Sequence, residues 1–152
     1  MALARVLGIG LALMMGLLAA GGSAMAGISS NDIGQIMKER NYAVAEISDT
    51  MVAVDAGDFA VIIAVNGSNG DISYLTYLKG ISSDMVGYEF LNRFNNGVKF
   101  GRAYIDGDGD IAIQMDRNSD GGVTLENIES DFDVFVLLVN KFMRDLTTRS
   151  VV

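Results

Sequence analysis

Residues 99–127 constrain the fold more than any other part of the sequence. Apolar and polar residues alternate on both sides of a short turn of glycine and aspartate, a pattern that is typical of a β-hairpin. An acidic, glycine-containing loop follows, and Thr124 can then cap a long helix. The rest of the chain is therefore expected to supply further strands of one sheet and helices that pack against it.

The alternation in this hairpin also predicts its register. A loop of three residues, 107–109, keeps the apolar side chains of both strands on one face, whereas a loop of two residues turns one set outward. The predicted pairs on the apolar face are Gly101 with Met115, Ala103 with Ile113 and Ile105 with Ile111. On the other face, Arg102 lies opposite Gln114 and Tyr104 lies opposite Ala112.

Residues 125–147 are predicted to form the longest helix, because apolar residues recur there every three or four positions. Val134, Val136, Leu137 and Leu138 widen this stripe beyond what one sheet face normally covers. We therefore expect that the helix is either covered on two sides or carries an interaction surface.

Upstream, shorter elements are predicted from the same periodicities. They are a helix at residues 31–40 capped by Ser29 or Ser30, strands at 44–47, 51–54, 59–65 and 71–79, and a helix at 85–95. The strand at 59–65 is apolar throughout, which is typical of a strand covered on both faces. The prediction is one α+β domain with an antiparallel sheet and three helices, in the order helix, strands, helix, β-hairpin and long C-terminal helix.

Residues 1–26 are predicted to be a signal peptide. Arg5 precedes a nearly unbroken apolar run, and Ala24 and Ala26 form the small-residue site that signal peptidase requires. The run is short for a membrane span and is interrupted by glycines. We expect a mature domain of residues 27–152 that is periplasmic or secreted, with no membrane association after cleavage.

Composition excludes several classes of function. The formal net charge is −8, and loss of a leader with one arginine and no acid leaves −9, so the chain is a poor partner for nucleic acid. The sequence has no histidine and no cysteine, which excludes Ser-His and Cys-His nucleophiles and the usual zinc sites. No catalytic group and no cofactor are predicted.

One loop raises an alternative function. Asp116, Asn118 and Asp120 place oxygen ligands at positions one, three and five of an EF-hand-like loop, and Gly121 follows at position six. Position twelve, which should be a bidentate glutamate, is Asn127. The simpler interpretation is a polar turn before a helix. The alternative is a calcium-responsive binding module.

The second half of the chain resembles a known family. The runs Asn92-Arg93-Phe94-Asn95 and Phe100-Gly101-Arg102-Ala103-Tyr104-Ile105-Asp106, the Gly/Asp turn, Gly121-Gly122-Val123-Thr124 and the long apolar helix are similar to the YbjN family. The similarity in sequence covers about residues 90–146, and residues 33–79 share only the order of elements. Members of that family usually have tryptophan where this chain has Phe94.

The resemblance implies a role and a fold. YbjN proteins are described as candidate regulators of bacterial sensory transduction, with a fold similar to type III secretion chaperones, which bind polypeptide segments and often form dimers. It implies no catalytic residue. We expect an exported, non-enzymatic domain that binds a protein partner or a second copy of itself. The expected contact residues are Phe94, Arg102, Tyr104, Phe135 and Val139, and the alternative for all five is a place in the core. For Arg102 a structural ion pair with Asp116 is a further alternative.

Overall fold

A computed structural model describes residues 27–149. The predicted leader, residues 1–26, therefore lies outside the described residues. The helices are α1 (Ser30–Glu39), α2 (Ser83–Val86), α3 (Tyr88–Gly97) and α4 (Leu125–Arg149). The strands are β1 (Val44–Ser48), β2 (Met51–Asp55), β3 (Ala60–Asn66), β4 (Asp71–Ser82), β5 (Gly101–Ile105) and β6 (Asp110–Arg117).

The strands form one antiparallel sheet of six strands in the order β1-β2-β3-β4-β6-β5. The α+β architecture is as predicted, and so is the register of the last hairpin: all five predicted pairs, from Gly101 with Met115 to Ile105 with Ile111, are observed. The N–H of Asp106 donates to the carbonyl of Asp110 at 3.0 Å, which closes the loop of three residues between them.

Helix α1 begins with a reciprocal cap. The Ser29 hydroxyl accepts from the N–H of Asp32 at 3.2 Å, and the Asp32 carboxylate accepts from the N–H of Ser29 at 2.9 Å. The Ser29 hydroxyl also donates to the Asp32 carboxylate at 2.6 Å. The hydrogen bonds that the carboxylate accepts, from the Ser29 hydroxyl first and from its N–H second, lower the pKa of Asp32. Ile33 and Met37, both fully buried, then pack α1 against the sheet. The helix is short, so this packing provides most of its stability.

The second predicted helix is in fact two helices. Gly87 has φ +73° and ψ 153°, far from helical values, and it separates the four-residue α2 from α3. Only glycine adopts this combination without strain. The apolar periodicity of Val86, Phe90 and Phe94 continues across the break and therefore predicts one helix. Residues 27–149 form four helices, not the three predicted.

Helix α4 covers one face of the sheet. Its buried residues are Ile128, Phe132, Phe135, Leu138, Val139 and Phe142. Phe135 lies against Tyr74 of β4, with ring centroids 6.0 Å apart, and Phe142 meets Phe90 and Phe94 of α3 edge-on. Leu137 points away from the sheet and is 65% exposed. No helix within residues 27–149 is long and apolar enough to cross a bilayer.

Residues 27–149 cover only one face of the sheet, which corrects the prediction for β3. Val61 and Ile63 are fully buried, whereas Ile62 and Ala64 between them are only partly buried. We call the second face the open face. It follows from the pairing registers that it carries Ala53, Ile62, Ala64, Ser73, Leu75, Tyr77, Arg102, Tyr104, Ala112, Gln114 and Asp116.

One edge of the sheet is closed by a side chain. Asn95 of α3 accepts from the N–H of Ala103 at 2.8 Å and donates to its carbonyl at 3.0 Å. Ala103 lies in the edge strand β5 and is 2% exposed. The Asn95 amide therefore takes the place of a neighbouring strand, and it belongs to the first run of residues on which the family resemblance depends.

Replacing Asn95 with alanine is expected to destabilise the fold. The change leaves a buried N–H and a buried carbonyl without partners, which costs about 2 kcal/mol of unfolding free energy. Asn96→Ala is the matched control, because Asn96 is the exposed neighbour in the same helix, and its effect should stay within about 0.5 kcal/mol. Urea unfolding of both variants measures the difference, and equal midpoints would show that the edge contact contributes nothing.

Candidate interaction surface

A hydrogen-bonded polar network occupies one half of the open face. The Asp116 carboxylate accepts from the Ser73 hydroxyl at 2.7 Å and from the Gln114 amide at 2.9 and 3.0 Å. Asn66 donates to the Ser73 hydroxyl at 3.0 Å. The network thus links β3, β4 and β6, and each of its members already has partners within the chain.

Arg102 and Tyr104 extend this network onto β5. Arg102 donates to Gln114 Oε1 at 3.2 Å, and its guanidinium lies 3.9 Å from the Asp116 carboxylate, so the structural ion pair is observed. Both charged side chains are at least half exposed, so the pair contributes little to stability. The Tyr104 hydroxyl donates to Gln114 Oε1 at 3.0 Å. Burial first, and the nearby Tyr77 second, raise the pKa of Tyr104 above its usual value.

The other half of the open face is apolar. Neighbouring strands place Ala53, Ile62, Leu75 and Tyr77 side by side, next to Ala112, which is itself fully buried. Tyr77 is 43% exposed, and Ile62 and Leu75 are half-buried. Soluble domains seldom leave such residues contiguous and uncovered unless they bind something.

A groove of about 820 Å³ runs from this apolar half around the nearer end of the sheet. Ala45, Ala53, Ile62 and Tyr77 form part of its lining. Charged residues also line it, namely Asp55, Asp58 and Lys79. The lining is thus apolar along the strands. Near the β2–β3 turn its two aspartates outnumber its one lysine.

The five residues predicted to contact a partner fall into two groups. Arg102 and Tyr104 lie on the open face, as described. Phe94, Phe135 and Val139 are 3%, 0% and 0% exposed and belong to the core between the helices and the sheet. A partner cannot reach these three side chains while the domain is folded. Aromatic and β-branched residues at helical spacing are required equally by a core and by an interface, so the sequence pattern does not separate the two.

The residues of the open face that the prediction missed are Ile62, Leu75 and Tyr77. A signal for two of them exists in the sequence, since Leu75 and Tyr77 alternate with Ile72, Tyr74 and Leu78 along β4. Because both sets are apolar, the alternation does not say which face is covered.

The acidic loop after β6 has structural partners. Asp116 takes part in the polar network, and Asn118 Oδ1 accepts from the N–H of Asp120 at 2.8 Å. Asn127, at the position where an EF-hand has glutamate, instead completes the cap of α4: Thr124 and Asn127 exchange hydrogen bonds of 3.3 and 3.2 Å. Across residues 27–149, no three acidic side chains are grouped so that they could hold a metal ion.

Comparison with known protein families supports the resemblance described above. The sequence model of the YbjN family, described as "Putative bacterial sensory transduction regulator", matches residues 29–147. The chain belongs to the YbjN family. The match includes the first half of the domain, where only the order of elements had suggested it.

A solved structure shows the same fold. The crystal structure of YbjN, "a putative transcription regulator from E. coli", superposes with a TM-score of 0.60 at 12% sequence identity. The superposition covers 79% of this chain and 92% of the E. coli chain. No protein of curated function matches the sequence significantly. The YbjN description names a regulator and no catalytic activity.

Proposed function

We propose that this YbjN domain is an exported, non-enzymatic regulatory module that binds a polypeptide partner on the open face of its sheet. The observation that carries the proposal is the apolar half of that face, where the half-buried Ile62 and Leu75 lie beside the exposed Tyr77 and no helix among residues 27–149 packs over them. An apolar centre beside a polar margin is the usual composition of a protein-binding surface. The acidic net charge makes nucleic acid an unfavourable partner.

Site-specific crosslinking tests this surface. A photo-reactive amino acid at Tyr77 should give one adduct of defined mass in the envelope of the native cell. The same amino acid at Leu137, which is more exposed but lies on α4, should give none. Ile62→Lys places a charge beside Tyr77 and should remove the Tyr77 adduct while the melting temperature shows that the fold persists.

Two results would contradict the proposal. Equal labelling from Tyr77 and Leu137 would indicate random collisions, and a Tyr77 adduct that survives Ile62→Lys would show that binding does not depend on the apolar half of the open face. An adduct of twice the mass of the chain would identify the partner as a second copy.

Export is a separate part of the proposal and has its own test. When the full chain is expressed in a bacterium, we expect cleavage after Ala26, so that the protein begins at Gly27. Ala24→Arg should block cleavage, because the peptidase site accepts only small residues. Intact-mass measurement of the fractionated protein decides it, and an uncleaved chain in the cytoplasm would refute export.

A further inference from the structure

The two edges of the sheet differ. At β5 the Asn95 side chain closes the edge, as described above. At β1 the carbonyl of Ala43 accepts from the N–H of Asp55 at 2.9 Å, and Ala45 pairs with Ala53. Hydrogen-bonded pairs alternate along an antiparallel ladder, so the N–H and carbonyl groups of Val44 and Glu46 point away from the sheet. Within residues 27–149, nothing forms a hydrogen bond with these four groups.

The free groups define the chemistry of what could bind there. They match the backbone of an extended polypeptide, because a strand placed beside β1 presents carbonyls and N–H groups at the same spacing. The register of β1 shifts at Ile47, which is 49% exposed, so the regular part of the β1 edge ends before this residue. We therefore expect the added strand to be short.

Side chains on such a strand alternate between the two faces. Those that fall beside Ala45 lie on the open face and enter the groove of about 820 Å³, whose walls there are Ala53 and Ile62. Small apolar side chains fit the groove beside Ala45. The added strand would therefore form hydrogen bonds with the backbone of β1 and bury its apolar side chains against the apolar half of the open face.

The charge around the β1 edge determines which residues are favoured at the two ends of the added strand. Asp55 and Asp58 lie at the mouth of the groove with Lys79, and Asp49 lies in the β1–β2 turn. Glu46 is partly balanced by Lys38 at 4.0 Å. The local excess of acid favours lysine or arginine on the partner and disfavours a second copy of this acidic chain.

We propose that the β1 edge accepts an extended polypeptide strand with alternating small apolar residues flanked by basic residues. The proposal rests on the proposed function and adds the place, conformation and chemistry of the partner. The added strand extends the sheet to a seventh strand beside β1.

A synthetic peptide tests the proposal: alternating alanine and valine with an arginine at each end. The control peptide has the same sequence with methylated backbone nitrogens on alternate residues, which removes its donors. The full chain, in the form that the cell processes, is labelled with ¹⁵N. The unmodified peptide should shift and protect the amides of Val44 and Glu46, and the methylated peptide should leave both unchanged.

Two variants at one position separate the backbone from the charge. Glu46→Pro removes the outward N–H and leaves the hydrogen bonds between β1 and β2 intact, since edge strands tolerate proline at such positions. This variant should bind the peptide about tenfold more weakly. Glu46→Gln keeps the N–H and should stay within about threefold of the unchanged chain. Equal binding by both variants, or peptide shifts at the β5 edge instead, would overturn the proposal.

The result can be distinguished from failure of the proposed function. If the Tyr77 adduct forms normally in Glu46→Pro, the open face binds a partner but the β1 edge does not, and only the present inference falls. If Tyr77 gives no adduct in the unchanged chain, the proposed function falls. If light scattering shows a dimer that Glu46→Pro converts to a monomer, the edge pairs with a second copy and the basic peptide is the wrong occupant.

Discussion

Phe142→Ala should lower the unfolding free energy by about 3–5 kcal/mol, the usual cost of emptying a buried aromatic site. Phe142 is fully buried, and its ring meets Phe90 at 5.2 Å and Phe94 at 5.1 Å between centroids. The two contacts join α3 to α4, so the truncation opens a cavity between two helices. Domains of this size are stable by about 5–15 kcal/mol, and the loss is therefore a large part of the total.

Leu137→Ala is the control on the same helix. Leu137 is 65% exposed, so its truncation should change stability by no more than about 0.5 kcal/mol. Urea unfolding followed by circular dichroism gives both midpoints. If the two variants unfold together, Phe142 does not hold α3 and α4 as the structure indicates.

Gly101→Val should destabilise the domain by about 2–3 kcal/mol through overpacking. A β-carbon at Gly101 would lie 2.7 Å from Leu138 Cδ1 and 3.1 Å from the backbone oxygen of Gln114. The Leu138 side chain can move, but the Gln114 oxygen belongs to the neighbouring strand β6. Both contacts involve the β-carbon itself, so no valine rotamer relieves them, and the two γ-carbons add further volume.

Gly107→Val provides the comparison for this change. A β-carbon at Gly107 meets nothing within 4 Å, and that glycine does not have a positive φ. Its substitution should cost less than about 1 kcal/mol. Thermal unfolding of the pair tests whether the close approach of α4 to β5 requires glycine; equal melting temperatures would contradict it.

The hairpin shows what the sequence can predict. A shift of one residue would turn every apolar side chain of residues 101–115 to the wrong face, so a single register fits the pattern. The cap of α4 at Thr124 is predictable for a similar reason, because a local hydrogen bond requires a local residue type. These features depend on residues close together in the chain.

Features that depend on distant residues were not predictable. Gly101 is simply a member of the apolar face until Leu138, far along the chain, approaches it. Asn95 reads as a helix-ending residue, and its contact with Ala103 exists only in three dimensions. The open face was misread for the same reason: the composition of β3 allows cover on both sides, and only the path of α4 decides which side receives it.

The candidate site was predicted less well than the fold. Arg102 and Tyr104 lie on the open face because they occupy alternate positions of one strand, and their contact with a partner stays a prediction. Phe94, Phe135 and Val139 were not separable from the core, since one set of residue types serves both purposes. Tyr77 is the residue that best marks the surface, and its exposure depends on what lies above the sheet.

The Asn95 contact at β5 has a consequence for assembly. A sheet that can add strands at both ends can grow without limit, which is how ordered aggregates form. Because the Asn95 side chain occupies the middle of the β5 edge, the strand addition that we propose would occur at β1 and not at the other end of the sheet. Loss of the asparagine amide is then expected to free a second edge for strand addition, which favours polymerisation.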